Sequence, residues 1–304
     1  MSLPHLHGIV PPLPTPLQGD HEQVDLEAYQ RLIAFQLQAG VHGLWVLGTT
    51  ARFDMIPDAQ QRLIAETATE SAGGRVPLVL NISDQGLRRT LAHAGLFDDL
   101  PYDYYAALPP WYQPMTPDEV VGYFHALADH LARPLVIYNA PWVCNQLDFG
   151  RLRKLAEHPR IVGVKDVIPT LTRTLDWTVA ERRDLDFSYL QGTDQIAFST
   201  ELGADGFVTS LSNPFPELAV SIWNAVREGD HARGFTLQAQ FCRLARVTGF
   251  GPMLACLEVM CRRRGLLERM LPAPLRSLDE ARAQRVVEAI EATGMLPEPA
   301  IAPE

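Results

Sequence analysis

Lysine is nearly missing from this sequence. It occurs only at Lys154 and Lys165, and every other basic side chain is arginine. Cysteine is scarce too. Cys144, Cys242, Cys256 and Cys261 form no C-x-x-C pair, and a chain of 304 residues needs no disulfide staples, so a reduced, cytoplasmic protein is expected. No apolar run reaches the roughly 18 residues of a membrane helix, so no span is expected. The opening MSLPHLHGIVPPLP has no charged segment leading into an apolar one, so no secretory signal is expected either. No basic run interrupts a net charge of −10, which argues against nucleic acid or an anionic membrane as a partner. No glycine-rich phosphate fingerprint follows the first strand-like run, which counts against a dinucleotide-binding open sheet.

What the chain does have is rhythm. Hydrophobic residues make up 47% of it, enough for a large core. Short apolar runs alternate with helix-periodic stretches. After a proline-broken run at Gly8–Pro16 comes an amphipathic helix entered at Asp25 and ended at Gly40. Strand-like runs recur at Gly43–Thr50, Val76–Ile82, Tyr104–Leu108, Pro134–Pro141, Ile161–Val167, Asp186–Gln191 and Gly206–Ser210, with a helical stretch between each pair. Repeats of about 25 residues predict an α/β (β/α)8 TIM barrel. Residues 1–225 are assigned to the barrel. Residues 226–304, strand-free, are assigned to a helical extension packed on it, whose last residues, LPEPAIAPE, are expected to fray.

Against this rhythm the rarity of lysine gains meaning. Lys154 lies in the polar helical stretch RLRKLAEHP and needs no special account. Lys165 lies inside IVGVKDV, which reads as a strand buried on both faces. Two readings are open: an amine whose burial lowers its pKa until it attacks carbonyls, or a rim lysine paired with Asp166. In a barrel of this type reactive groups gather where strands end. Gly48-Thr49-Thr50 ends the second strand, Tyr138-Asn139 the fifth and Lys165 the sixth. Lysine suits imine formation with a 2-oxo acid, tyrosine suits proton transfer, and a Gly-Thr-Thr turn offers donors for a small carboxylate. Each also has a structural reading, as a core tyrosine or a plain turn.

The order GLWVLGTT, PPWYQPMTPDE, PLVIYNAP, IVGVKD, LQGTDQ and GADGFVTSLSN resembles the dihydrodipicolinate synthase and N-acetylneuraminate lyase family over nearly the whole chain. The resemblance implies a class I, Schiff-base-forming lyase or aldolase without a cofactor or metal. Its partners would be pyruvate or a related 2-oxo acid and an aldehyde. Lys165 would form the imine and Tyr138 would move protons. Thr49 and Thr50 would hold the carboxylate, with Thr49 also linking to the tyrosine, and Gly48 would belong to the same substrate-binding turn. Val208 would line the pyruvate pocket. Tyr112 would complete a proton relay in a neighbouring subunit, implying a homodimer or homotetramer.

Several positions depart from the family pattern. Ala51-Arg52-Phe53 replaces the usual Gly-Glu and small residue, and Asn81-Ile82-Ser83 replaces a glycine-rich turn. Val143 stands where the synthases carry an arginine for the second substrate's carboxylate, next to Trp142. Arg52 is either a displaced cationic contact or a solvated surface charge. The Trp142-Val143 pair suits a less charged or bulkier aldehyde. The alternatives are dihydrodipicolinate synthase activity itself, a dehydratase of a sugar-derived 2-oxo acid, and a non-catalytic 2-oxo acid sensor. A binuclear metal hydrolase would use His5-Leu6-His7, but it needs two further histidines after Lys165 and only His231 follows. His5 and His7 are therefore expected to be a disordered pair.

Overall fold

The computed structural model describes residues 5–19, 22–182 and 185–294, so the LPEPAIAPE tail lies outside the described residues. Eight parallel strands carry the fold. They are β1 (Gly8–Ile9), β2 (Leu44–Val46), β3 (Leu78–Asn81), β4 (Tyr104–Ala107), β5 (Leu135–Asn139), β6 (Ile161–Asp166), β7 (Ser188–Gln191) and β8 (Gly206–Phe207). Their order is β1-β8-β7-β6-β5-β4-β3-β2. The circle closes through a parallel bridge between Pro12 and Trp45. There Trp45 N donates to Pro11 O at 3.0 Å and Leu13 N donates to Trp45 O at 2.9 Å. Pro11 and Pro12 have no N–H to give, so this first strand is short and Leu13 supplies the donor. The other strands are buried on both faces, Val162 alone being partly exposed, and apolar residues make up most of them.

Helices α1 (Leu26–Gln38), α2 (Asp58–Ala72), α3 (Leu87–Gly95), α4 (Pro117–His130), α5 (Phe149–Ala156), α6 (Leu171–Leu175), α7 (Ile196–Glu201) and α8 (Pro216–Arg227) flank the barrel. Asp25 caps α1 as expected, accepting from Ala28 N at 2.9 Å. Thr116 and Glu119 close a reciprocal capping box on α4. The helical extension is α9 (His231–Val247), α10 (Met253–Arg263) and α11 (Glu280–Glu291). Its Gln238 is buried, accepting from Ala197 N at 2.8 Å and donating to Asp194 O at 2.7 Å. One side chain thus fixes the start of α7 and the loop before it.

Three expectations need correction. The helical stretch expected between Ile161–Val167 and Asp186–Gln191 is not one α-helix: it turns into a π-helix at Asp176–Glu181, and that wider turn carries the fully buried Trp177 against Phe187 and Tyr189. The last strand stops at Phe207, because a 3-10 turn begins at Ser210. His5 and His7 are ordered. His5 Nε2 lies 3.3 Å from Asp205 Oδ1, and the His7 ring packs 5.6 Å from that of His42. Both precede β1, so they sit at the end of the barrel opposite Lys165. Among the described residues no single helix is long and apolar enough to cross a membrane.

Candidate active site

Strand register brings the reactive groups together. Tyr138 of β5 pairs with Lys165 of β6, and Asn139 pairs with Asp166. Successive side chains on a strand point to opposite faces, so Tyr138 and Lys165 share one face while Asn139 and Asp166 share the other. Lys165 Nζ lies 4.0 Å from the Tyr138 ring centroid and 4.9 Å from that of Trp45. The Trp45 ring meets Tyr138 edge-on at 5.7 Å. Gly48 lets the indole sit there, since a Cβ at that position would come within 3.1 Å of Trp45 Nε1.

The amine is 4% exposed, and burial alone lowers its pKa to about 7. Asp166 does not compensate it. That carboxylate faces away, held by Arg173 Nε at 2.6 Å and Asn139 Nδ2 at 3.2 Å. Burial still raises the Asp166 pKa, and Arg173 opposes the shift. The reading of Lys165 as a rim lysine paired with Asp166 is therefore wrong: the two alternate across the sheet. The Asp166 network is structural. Arg173 Nη2 donates to Leu147 O at 3.1 Å and Leu147 N donates to Asn139 Oδ1 at 3.2 Å, so it anchors the far end of the 140–147 loop.

Tyr138 is buried, and burial pushes its pKa up to about 12 against the lowering effect of Thr49. Its hydroxyl lies 3.1 Å from Thr49 Oγ1. It is a neutral phenol able to give and take back a proton. Thr50 Oγ1 lies 2.7 Å from Ser210 Oγ. The turn carrying both threonines is strained at each end, with left-handed φ of +56° at Leu47 and +57° at Arg52. Asn81 holds the first of these, donating to Leu47 O at 2.8 Å. Ser83 donates to Asn81 Oδ1 at 2.7 Å and accepts from Leu108 N at 2.8 Å. The stretch that replaces a glycine-rich turn thus laces three strand ends together.

A cavity of about 220 Å3 adjoins Thr49. Val143 lines it. Arg52 lines it too, with its side chain only 18% exposed, so it is not a solvated surface charge. Trp142 is displaced from the expected role. It is 61% exposed and lies outside the cavity, where Phe53 and Trp111 form the aromatic wall instead, edge-to-face at 6.0 Å. Trp111 lies in the PPWY stretch beside Tyr112, and nothing in that stretch distinguishes it as a wall residue. Tyr112 is 80% exposed, with its backbone N–H held by Gln85 Oε1 at 3.0 Å. Val208 is buried just beyond β8. Ser210 and Trp45 were missed. Neither carries a sequence signal, since one is a serine in a turn and the other an aromatic in an apolar run.

Comparison with known proteins agrees with this geometry. The profile of the dihydrodipicolinate synthetase family matches residues 5–293. An Escherichia coli K12 protein named a probable 2-dehydro-3-deoxy-D-pentonate aldolase is 30% identical over 297 residues, covering 95% of this chain and 98% of its own. The structure of a dihydrodipicolinate synthase from Bacteroides thetaiotaomicron superposes with a TM-score of 0.89 at 29% identity, covering 96% of this chain and all of that one. An E. coli prophage protein of the same family, solved with pyruvate, shares the fold with a TM-score of 0.90 at 23% identity, covering 96% of this chain and 99% of its own.

Proposed function

We propose the roles of the site residues from one premise: the chain belongs to the dihydrodipicolinate synthetase family and is a class I, Schiff-base-forming lyase of pyruvate or a related 2-oxo acid. Lys165 is the nucleophile. With a pKa of about 7 a large fraction of it is neutral at physiological pH, whereas an ordinary lysine is almost wholly protonated. It attacks the C2 carbonyl of the 2-oxo acid, and Tyr138 delivers a proton to the oxygen that leaves as water. Thr49 hands protons to and from Tyr138 across their 3.1 Å contact. Thr50 holds the carboxylate, with Ser210 fixing its hydroxyl, and the Gly48 turn and Val208 shape that end of the pocket. Loss of a proton from C3 leaves an enamine that attacks an aldehyde, and the reverse sequence cleaves the adduct.

The single observation behind this reading is the shared register of Tyr138 and Lys165, which sets a buried amine beside a buried phenol on one face. Tyr112 is assigned to the relay of a second copy of the chain, because its exposed ring is unused in its own site. Val143 in the cavity wall favours a pyruvate aldolase over the dihydrodipicolinate synthase reaction, which has to accommodate a carboxylated second substrate. Borohydride reduction in the presence of pyruvate tests the imine. The expected result is a stable adduct on Lys165 and none on Lys154. Labelling of Lys154 alone, or no adduct with any 2-oxo acid, contradicts it.

A further inference from the structure

The cavity beside Thr49 is built for a particular kind of aldehyde. Its apolar walls are Phe53, Leu108, Trp111 and Val143. Its polar groups are Thr49, Arg52 and Asp54. Arg52 is the only cation among these lining residues, and its charge is already answered: Nη2 lies 3.0 Å from Asp54 Oδ2 and 3.2 Å from Met55 Sδ. An anionic tail here would have to share Arg52 with the Asp54 carboxylate, a like charge in the same wall. A polyhydroxylated tail would turn several hydroxyls toward apolar walls and leave them unpaired. A flat apolar ring meets neither obstacle, and Trp111 and Phe53 already pack edge-to-face, which leaves ring surface for a third partner. A volume of about 220 Å3 corresponds to about seven waters of liquid and suits one substituted six-membered ring.

We propose that the aldehyde partner is an uncharged aryl aldehyde, with its ring against Trp111 and Phe53. The inference rests on the imine reading above. The enamine C3 forms a bond to the aldehyde carbon as the carbonyl π pair moves to oxygen. That oxygen gains, through Tyr138, the equivalent of the proton lost from C3. Hydrolysis consumes the water that imine formation released, frees Lys165 and yields a 4-aryl-4-hydroxy-2-oxobutanoate.

The test uses the full chain with pyruvate and four aldehydes: benzaldehyde, 2-methoxybenzaldehyde, succinic semialdehyde and glyceraldehyde. Product mass gives the rates, and the borohydride adduct on Lys165 is read in parallel. Both aryl aldehydes are expected to exceed the other two in kcat/KM by at least tenfold. In Trp111→Ala that preference should shrink, with the adduct on Lys165 still formed. If the adduct forms but the semialdehyde or glyceraldehyde equals the aryl aldehydes, the substrate class is wrong and the imine reading stands. If the aryl preference is unchanged in a folded Trp111→Ala, the ring does not stand against Trp111 and the inference is wrong. If no adduct forms, the imine reading fails and takes this inference with it.

Discussion

The two sides of the barrel mouth are built differently. The side holding Lys165 and Tyr138 stands on adjacent strands, where register sets the spacing and burial sets the charge state. The side holding Arg52, Phe53, Trp111 and Val143 stands on 3-10 turns and loops, with Val143 41% exposed. Strand register tolerates little change, since a slip by one residue would turn Lys165 to the outer face. Loops tolerate substitution and carry specificity. On the proposed roles, the difference accounts for a chain that keeps the reacting groups of the family pattern while departing from it at Arg52, Phe53 and Val143. A fixed nucleophile can serve many acceptors if only the turns around it vary.

Substitutions on each side should therefore have separable signatures. The largest effect belongs to Tyr138→Phe. It should slow turnover by about 10²–10⁴-fold with every aldehyde alike, leaving pyruvate trapping detectable. An aldehyde-dependent loss would place Tyr138 on the wrong side of the comparison. Trp111→Ala should lower kcat/KM for an aryl aldehyde by roughly 10–150-fold, the worth of about 1.5–3 kcal/mol of lost apolar contact. Steady-state kinetics beside borohydride trapping would show trapping preserved. Loss of trapping in a folded Trp111→Ala would mean that the two sides are not independent. The smallest effect belongs to Ser210→Ala. Removing one hydrogen bond to Thr50 should raise KM for pyruvate about 2–12-fold, near 0.5–1.5 kcal/mol, with little change in kcat. A fall in kcat instead would draw Ser210 into the proton transfers.

Much of the strand-built side was legible in the sequence. Lys165 announces itself as a lysine in a β-branched run, but pairing with Asp166 stayed open in the sequence, and only the fold shows Arg173 holding that carboxylate. The barrel was legible because alternation over the whole chain averages out local ambiguity. The loop-built side was not. Trp142 and Trp111 both sit in polar, proline-rich stretches, and periodicity says nothing about which way a loop residue turns. Arg52 is stranger still, since a left-handed arginine between two short turns has no sequence signature. Ser210 and Thr50 lie 160 positions apart and meet only because the barrel closes. The π-helical turn at Asp176–Glu181 was invisible for a related reason. The demand that Trp177 be buried widens the helix, and that demand comes from Phe187 and Tyr189 on the strand side.

The central claim is that burial in strand register makes Lys165 a neutral amine near neutral pH, and its pH dependence tests that most directly. The folded-state pKa of about 7 lies below the ordinary 10.5. Lys165 therefore weakens the fold most below pH 7, and stability recovers as pH rises from 7 toward 10.5. The same titration governs the chemistry. The initial rate of borohydride-trapped pyruvate adduct on Lys165, measured from pH 5.5 to 10.5 with Tyr138→Phe as a control for the phenol, should rise through a midpoint near pH 7 and then level off. A rate that is still climbing at pH 10 would show that Lys165 titrates like an exposed lysine and would contradict the account.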